Sequence, residues 1–276
     1  MKNILVLIAV LCSFTFAQYN EGNTVVTWVK YKWEPMTEVE GGSWQEREDI
    51  TKEYHTKRNA ASKILKGKML LTHYWTGSVL DVHLLSEFKD MNDATMHSSM
   101  SAEIDRVAWS DEEERRTTLT TFGKYNQSYH EDLHILENHT QLEKVLSGGY
   151  PKNTFVSVNV RYWKPLNMVE NGSADERYRL MKKFQKEVIG KNPKILSQKV
   201  LTHLWSGKLE GGYYPLVYVS EYVSMEDVDS AGMDNGALAE KAMTESERKR
   251  LNEYWMPATV MHEDWGLFRG FTPANK

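Results

Sequence analysis

Several kinds of chemistry are missing from this chain. Its 276 residues hold one cysteine, Cys12, inside an apolar N-terminal stretch. If that stretch is cut away, what remains can form no disulfide and has no thiolate nucleophile or ligand. There is no Gly-x-x-x-x-Gly-Lys-Ser/Thr phosphate loop, no dinucleotide fingerprint after the first strand and no Gly-x-Ser-x-Gly elbow, which disfavours several large enzyme classes. A one-signed charge is lacking too: 34 Lys and Arg against 38 Asp and Glu leave a net charge of -4. With no basic cluster along the chain, nucleic acid is disfavoured as a partner.

The apolar run Ile4 to Leu11 is too short to cross a bilayer as a helix. Lys2 before it, and Thr15 and Ala17 after it, make the pattern of a secretory signal peptide. The expectation is cleavage after Ala17, a mature chain starting at Gln18, a secreted or periplasmic location, and no stable membrane insertion once the leader is gone. At 41% hydrophobic and 26% charged residues, the remainder has the composition of a folded soluble protein. Its length suits two ordinary domains.

A long-period repeat is present. LLTHYWTG at 70–77 returns as VLTHLWSG at 200–207, and Trp33 and Pro35 return 130 positions later as Trp163 and Pro165. Val156, Val158, Val160 and Tyr162 alternate with polar residues, the period of a half-buried strand, and Val25, Val29 and Tyr31 match them in the first copy. Helical spacing follows, from Ile50 to Leu65 and from Tyr178 to Val188, with Gly67 and Gly190 as expected stops. The repeated phrase makes a strand in each copy, then VLDVHLLSEF and YYPLVYVSEY another, with a four-residue insertion near Leu209 to Gly212 in the second turn. Asp111 with Glu114, and Thr244 with Glu247, signal the start of a second helix. Each copy ends in His-Glu-Asp and a short apolar strand.

The order strand, helix, strand, strand, helix, strand is the ferredoxin-like βαββαβ unit. Two such units, expected at 24–146 and 155–272 with a linker at 147–154, resemble the dimeric α/β-barrel superfamily in its tandem form. In element order they resemble antibiotic-biosynthesis-monooxygenase-like domains. The resemblance implies an α+β fold in which two sheets face each other as an internal pseudo-dimer.

Alternation along the repeated strand places His73 with Trp75, and His203 with Trp205, on one face. An imidazole beside an indole could orient an aromatic substrate, with histidine as base. Glu87 and Glu221 end the next strands and could orient those histidines, or cap the following segment. Thr72 and Thr202 complete the candidate ligand-binding set. His-Glu-Asp (130–132 and 262–264) lacks the spacing of a zinc helix, and a helix C-terminus is the expected setting. No metal is called for. His83, His97, His134 and His139 occur in the first copy only and carry no assigned role.

Three functions compete. The first is a secreted binding protein for a small aromatic or apolar ligand, without cofactor, its pocket lying between each sheet and its helices. The second, implied by the resemblance, is a cofactor-independent monooxygenase with His73 or His203 as base. The third, also implied by relatives of the fold, is haem binding with a repeated histidine as axial ligand. A homo-oligomer is left open.

Overall fold

The computed structural model describes residues 22–75, 77–146, 152–204, 214–259 and 262–273. The leader, Trp205, the 209–212 insertion and most of the linker lie outside the described residues.

Alternating side chains build eight strands: β1 (Thr24–Trp33), β2 (Leu65–His73), β3 (Asp81–Phe88), β4 (Asn126–Asn138), β5 (Thr154–Trp163), β6 (Ile195–His203), β7 (Tyr214–Tyr222) and β8 (His262–Phe271). They close into one antiparallel barrel in the order β1-β3-β2-β8-β5-β7-β6-β4. Each ferredoxin-like unit supplies four neighbours, β4-β1-β3-β2 and β8-β5-β7-β6. The units are not stacked as separate sheets. They are hydrogen-bonded edge to edge along two seams, with His73 opposite Phe268 on β2–β8 and His203 opposite Leu136 on β6–β4. The offsets, 203 − 73 = 130 and 268 − 136 = 132, make each seam the image of the other, so the barrel carries an internal pseudo-twofold.

The strands divide their side chains strictly. Val26, Trp28, Met69, Leu71, Leu85, Val156, Val158, Leu201, Val219 and Phe268 fill the barrel. Trp33, Leu70, Val82 and Leu84 face outward in the first unit, and Val200, Leu216 and Tyr218 in the second. An eight-stranded barrel has room inside for its own side chains and at most one small ligand, and a cavity of about 250 Å³ remains at the end where Glu87 and Lys199 sit.

Helices cover the outer faces: α1 (Trp44–Ala61), α2 (Met91–Ser99), α3 (Ser101–Ala108) and α4 (Glu112–Tyr125) over the first unit, and α5 (Ala174–Phe184), α6 (Met225–Ala242) and α7 (Glu245–Glu253) over the second. Ser43 and Ser173 cap α1 and α5 through their hydroxyls. The buried Tyr125 and Tyr254 hydroxyls accept from Ser43 N and Ser173 N, each at 3.0 Å, and donate to Glu46 and Glu176. One tyrosine per unit thereby ties the end of the last helix to the start of the first. No helix among the described residues is long and apolar enough to cross a membrane.

Three expectations need correction. α1 ends at Ala61, and Leu65 already opens β2, with Gly67 at a register shift in the strand rather than at a helix stop. Tertiary pairing overrides the helical spacing there, because β2 needs Leu65 opposite Phe88. The second helical layer begins earlier than Asp111 and Thr244, at caps Asp90 and Ser224, whose side chains accept from Asp93 N and Asp227 N. Finally, His130-Glu131-Asp132 belongs to β4 itself, where Glu131 pairs with Lys30 at 2.5 Å.

Candidate functional site

His73 and His203 continue the inward-facing sets Met69–Leu71 and Lys199–Leu201, so both turn into the barrel, away from the helices. β2 and β6 stand four places apart in an antiparallel ring and run the same way, which brings both histidines to the same end. The space between them is filled. Trp28 donates from Nε1 to His83 Nδ1 at 3.1 Å, and the His134 ring stacks on Trp265 with centroids 4.7 Å apart. Burial lowers the His83 pKa, and burial together with nearby His203 lowers that of His134. His203 Nε2 is buried with no hydrogen-bond partner among the described residues. Two histidines without an assigned role thus share a cluster with a repeated one, on account of β3 and β4 alternation that the repeat does not reveal.

Trp75 does not share a strand face with His73. β2 ends at His73, and Trp75 is 74% exposed, stacked parallel on Tyr74 with centroids 5.7 Å apart. Trp205 lies outside the described residues. Thr72 and Thr202 face opposite to the histidines: Thr72 donates to the Arg269 carbonyl at 3.5 Å, and Thr202 meets His139 Nε2 at 2.8 Å.

Glu87 and Glu221 do not orient the histidines. Antiparallel register sets them opposite Gly67 and Ser197, six residues before His73 and His203, or about 20 Å along the strand. They sit at the other end of the barrel. Glu87 meets Lys199 Nζ at 2.5 Å and accepts from Thr24 and Asn138. Burial works to raise its pKa, but the attraction of Lys199 and these hydrogen bonds outweigh it and hold the carboxyl low. Glu221, fully buried, accepts from Thr154, Ser197 and Thr272. Each carboxylate bonds across strands, so neither is the cap of the following helix.

The largest cavity characterised lies elsewhere, between the outer face of the second sheet and α5 and α6, at about 620 Å³. Met181, Phe184, Tyr218 and Trp255 give it an apolar wall, and Arg161 stacks over Trp255 at 4.4 Å. Burial pushes the Tyr218 hydroxyl well above its ordinary pKa. At Gln185 the helix widens into a π turn, Gln185–Ile189, where the first unit keeps regular helix. Gln185 is 4% exposed, and neither its Oε1 nor its Nε2 has a partner among the described residues. Gln198 donates to Ser220 at 2.8 Å, and its own Oε1 has no partner among the described residues. Sequence reading missed these residues because they are not repeated.

The counterparts in the first unit are ionisable. Gln185 and Gln198 correspond, at the offset of 130, to His55 and Lys68, both buried. His97, Arg58 and Asp105 join them, with Arg58 paired to Asp105. Burial, aided by Arg58, brings Lys68 down to about 7. Burial, then Lys68 and Arg58, brings His97 down to about 4.

Among the described residues no group of three or more His, Cys, Asp or Glu is placed to hold a metal ion. His73 and His203 face an interior packed with Trp28, Trp265 and Phe268, which does not suit a haem at either of them, and among the described residues no histidine or cysteine lines the 620 Å³ cavity.

No family model matches the chain, and no curated protein does. Solved structures are similar to it at low identity. An anthrone oxidase-like protein is 11% identical, with 91% of this chain and 93% of that one covered and a TM-score of 0.41. A protein provisionally described as a monooxygenase, from Fusobacterium nucleatum, is 9% identical over 92% and 93%, with a TM-score of 0.44. A point mutant of chlorite dismutase from Candidatus Nitrospira defluvii is 10% identical over 91% of each chain, with a TM-score of 0.46. The strand order and paired seams make the chain two tandem ferredoxin-like units in a dimeric α/β-barrel fold.

Proposed function

We propose that the protein binds a small, largely apolar or aromatic molecule in the cavity of the second unit, after export directed by residues 1–17. The observation that carries this reading is Gln185, a cavity-lining residue on a π turn whose buried amide has no partner for either polar atom among the described residues. Buried polar groups are normally satisfied, and leaving one bare costs about 1 to 3 kcal/mol. π turns recur at functional sites, and about 620 Å³ falls within the range of ligand pockets. A flat ligand with a hydroxyl edge would pack on Trp255 and Tyr218 while its hydroxyl donates to Gln185 Oε1 or accepts from Nε2.

The test is titration of the mature chain with 1-naphthol, followed by tryptophan fluorescence. Saturable binding that weakens at least tenfold in Gln185→Leu is expected. Equal binding by a folded Gln185→Leu variant would overturn the assignment. An absorption spectrum of the freshly purified protein belongs beside it, since a Soret band would replace this reading with haem binding.

A second reading keeps catalysis, with His73 or His203 as base toward an electron-rich phenol. His203 Nε2, buried and without a described partner, is the observation in its favour. Oxygen uptake with 1-naphthol that is lost in His203→Ala and retained in Gln185→Leu would select it.

A further inference from the structure

A second cleft, of about 190 Å³, opens on the first unit between α1, the end of β1 and the β2–β8 seam. Arg47 is its centre. The guanidinium is sandwiched between Trp33 and Trp44, at 3.8 and 4.2 Å from the ring centroids. Arg47 is 4% exposed and makes no ion pair among the described residues, and its Nη1 is buried without a hydrogen-bond partner. Three other residues lining the cleft each hold a buried polar atom without a hydrogen-bond partner among the described residues: Trp33 Nε1, Thr51 Oγ1 and Asn153 Oδ1. The neighbouring carboxylate, Glu48, is committed to Lys52 and Asn153 Nδ2 at 2.6 and 2.9 Å. Arg269, on the opposite wall, adds a further cation with no ion pair among the described residues.

A buried guanidinium with no ion-pair partner is expensive, even with Glu48 and Tyr125 nearby to favour its charge, and one orphaned atom per residue on four residues lining a single cleft is hard to ascribe to packing. The second unit is built differently. Its counterpart Arg177 stacks on Trp163 and reaches the Lys164 carbonyl, and Ala174 stands where Trp44 does.

We infer that this cleft is a binding site for a small carboxylate bearing a hydroxyl group. The carboxylate would take the planar fork of Arg47 together with Trp33 Nε1, a match that a guanidinium makes in two parallel hydrogen bonds. The ligand hydroxyl would donate to Asn153 Oδ1 or share a bond with Thr51. Trp44, 59% exposed at the rim, supplies a flat surface for the body of the ligand. The volume, equal to about six waters, restricts the ligand to a single ring or a short chain.

Calorimetric titration of the mature chain with 4-hydroxybenzoate and with lactate tests the site, with 4-hydroxybenzamide as neutral control and inorganic phosphate as competitor. Saturable binding of at least one acid is expected, with the amide at least tenfold weaker and tryptophan fluorescence altered. Arg47→Met, which keeps a side chain between the two indoles, should weaken binding at least tenfold, and the rim variant Trp44→Ala should weaken it without touching the fold. Gln185→Leu should leave it unchanged, which separates this site from the cavity of the second unit. No saturable binding of either acid overturns the inference. So does equal binding of acid and amide, or full binding by a folded Arg47→Met or by Trp44→Ala. Phosphate competing as strongly as the acids would reduce the site to a nonspecific anion trap and overturn it equally.

Discussion

The two units share a backbone plan and differ in what they store beneath their helices. Under α1, α2 and α3 the first unit packs His55, Lys68 and His97 near Arg58, which pairs with Asp105. At the matching positions the second has Gln185, Val188, Gln198, Ala231 and Ala239, and a cavity. Smaller or uncharged residues leave space, and a charged cluster occupies it. Duplication supplied two equivalent sites, and substitution at a handful of outward-facing positions made one polar and filled, the other open and mostly apolar.

The contrast can be broken most severely at Asp105. Asp105→Ala copies the second unit's Ala239 but strips Arg58 of its counter-ion in a mostly buried setting, and should cost about 3 to 5 kcal/mol in a denaturant titration. Lys68→Gln copies Gln198 and should act in the opposite direction. A lysine at about 7 in the folded state and near 10.5 when unfolded binds fewer protons folded between those values. Stability should therefore rise with pH across that window, and the penalty of burying the charge is complete below pH 7. Lys68→Gln should abolish the slope and add about 3 kcal/mol at pH 7; melts at pH 6, 7, 8 and 9 will show whether it does.

Gln185→Leu sharpens the comparison from the other side. Replacing an unpaired buried amide with a leucine of similar volume should stabilise the ligand-free protein by about 1 to 2 kcal/mol while removing 1-naphthol binding. The smallest effect is expected inside the barrel. His203→Ala should cost about 1 kcal/mol, because Nε2 has no described partner to strand, whereas His83→Ala should cost more by orphaning Trp28 Nε1. Equal costs for the two variants would show that the inner histidines act as packing alone.

What could be read from the sequence was whatever both units need. The valines of β5, the caps Asp111 and Thr244 and the offset of 130 all answer to the backbone plan, and so does the strand order. The caps Asp90 and Ser224 also carry a signal, an acid three residues on, but Glu87 and Glu221 in the preceding SEF and SEY read equally as caps of that segment. Those glutamates are repeated because they bond across strands, to Thr24 and Thr154 among others. Repetition marks structural need. The cavity and the cleft lie where the copies disagree, at Gln185 against His55 and Trp44 against Ala174, and period-two alternation says nothing of which outward positions are left unfilled.

Closure of the ring has a kinetic consequence. Within each unit paired residues lie at most 270 − 154 = 116 positions apart, yet the β2–β8 seam joins Leu71 to Gly270, 199 positions apart. Contacts that close so long a loop form late. An intermediate with the β6–β4 seam made and the β2–β8 seam open would present two bare strand edges, the state most prone to pair with another chain. Once the ring shuts, those edges vanish, and among the described residues the outer surface left for any assembly is made of helices and loops.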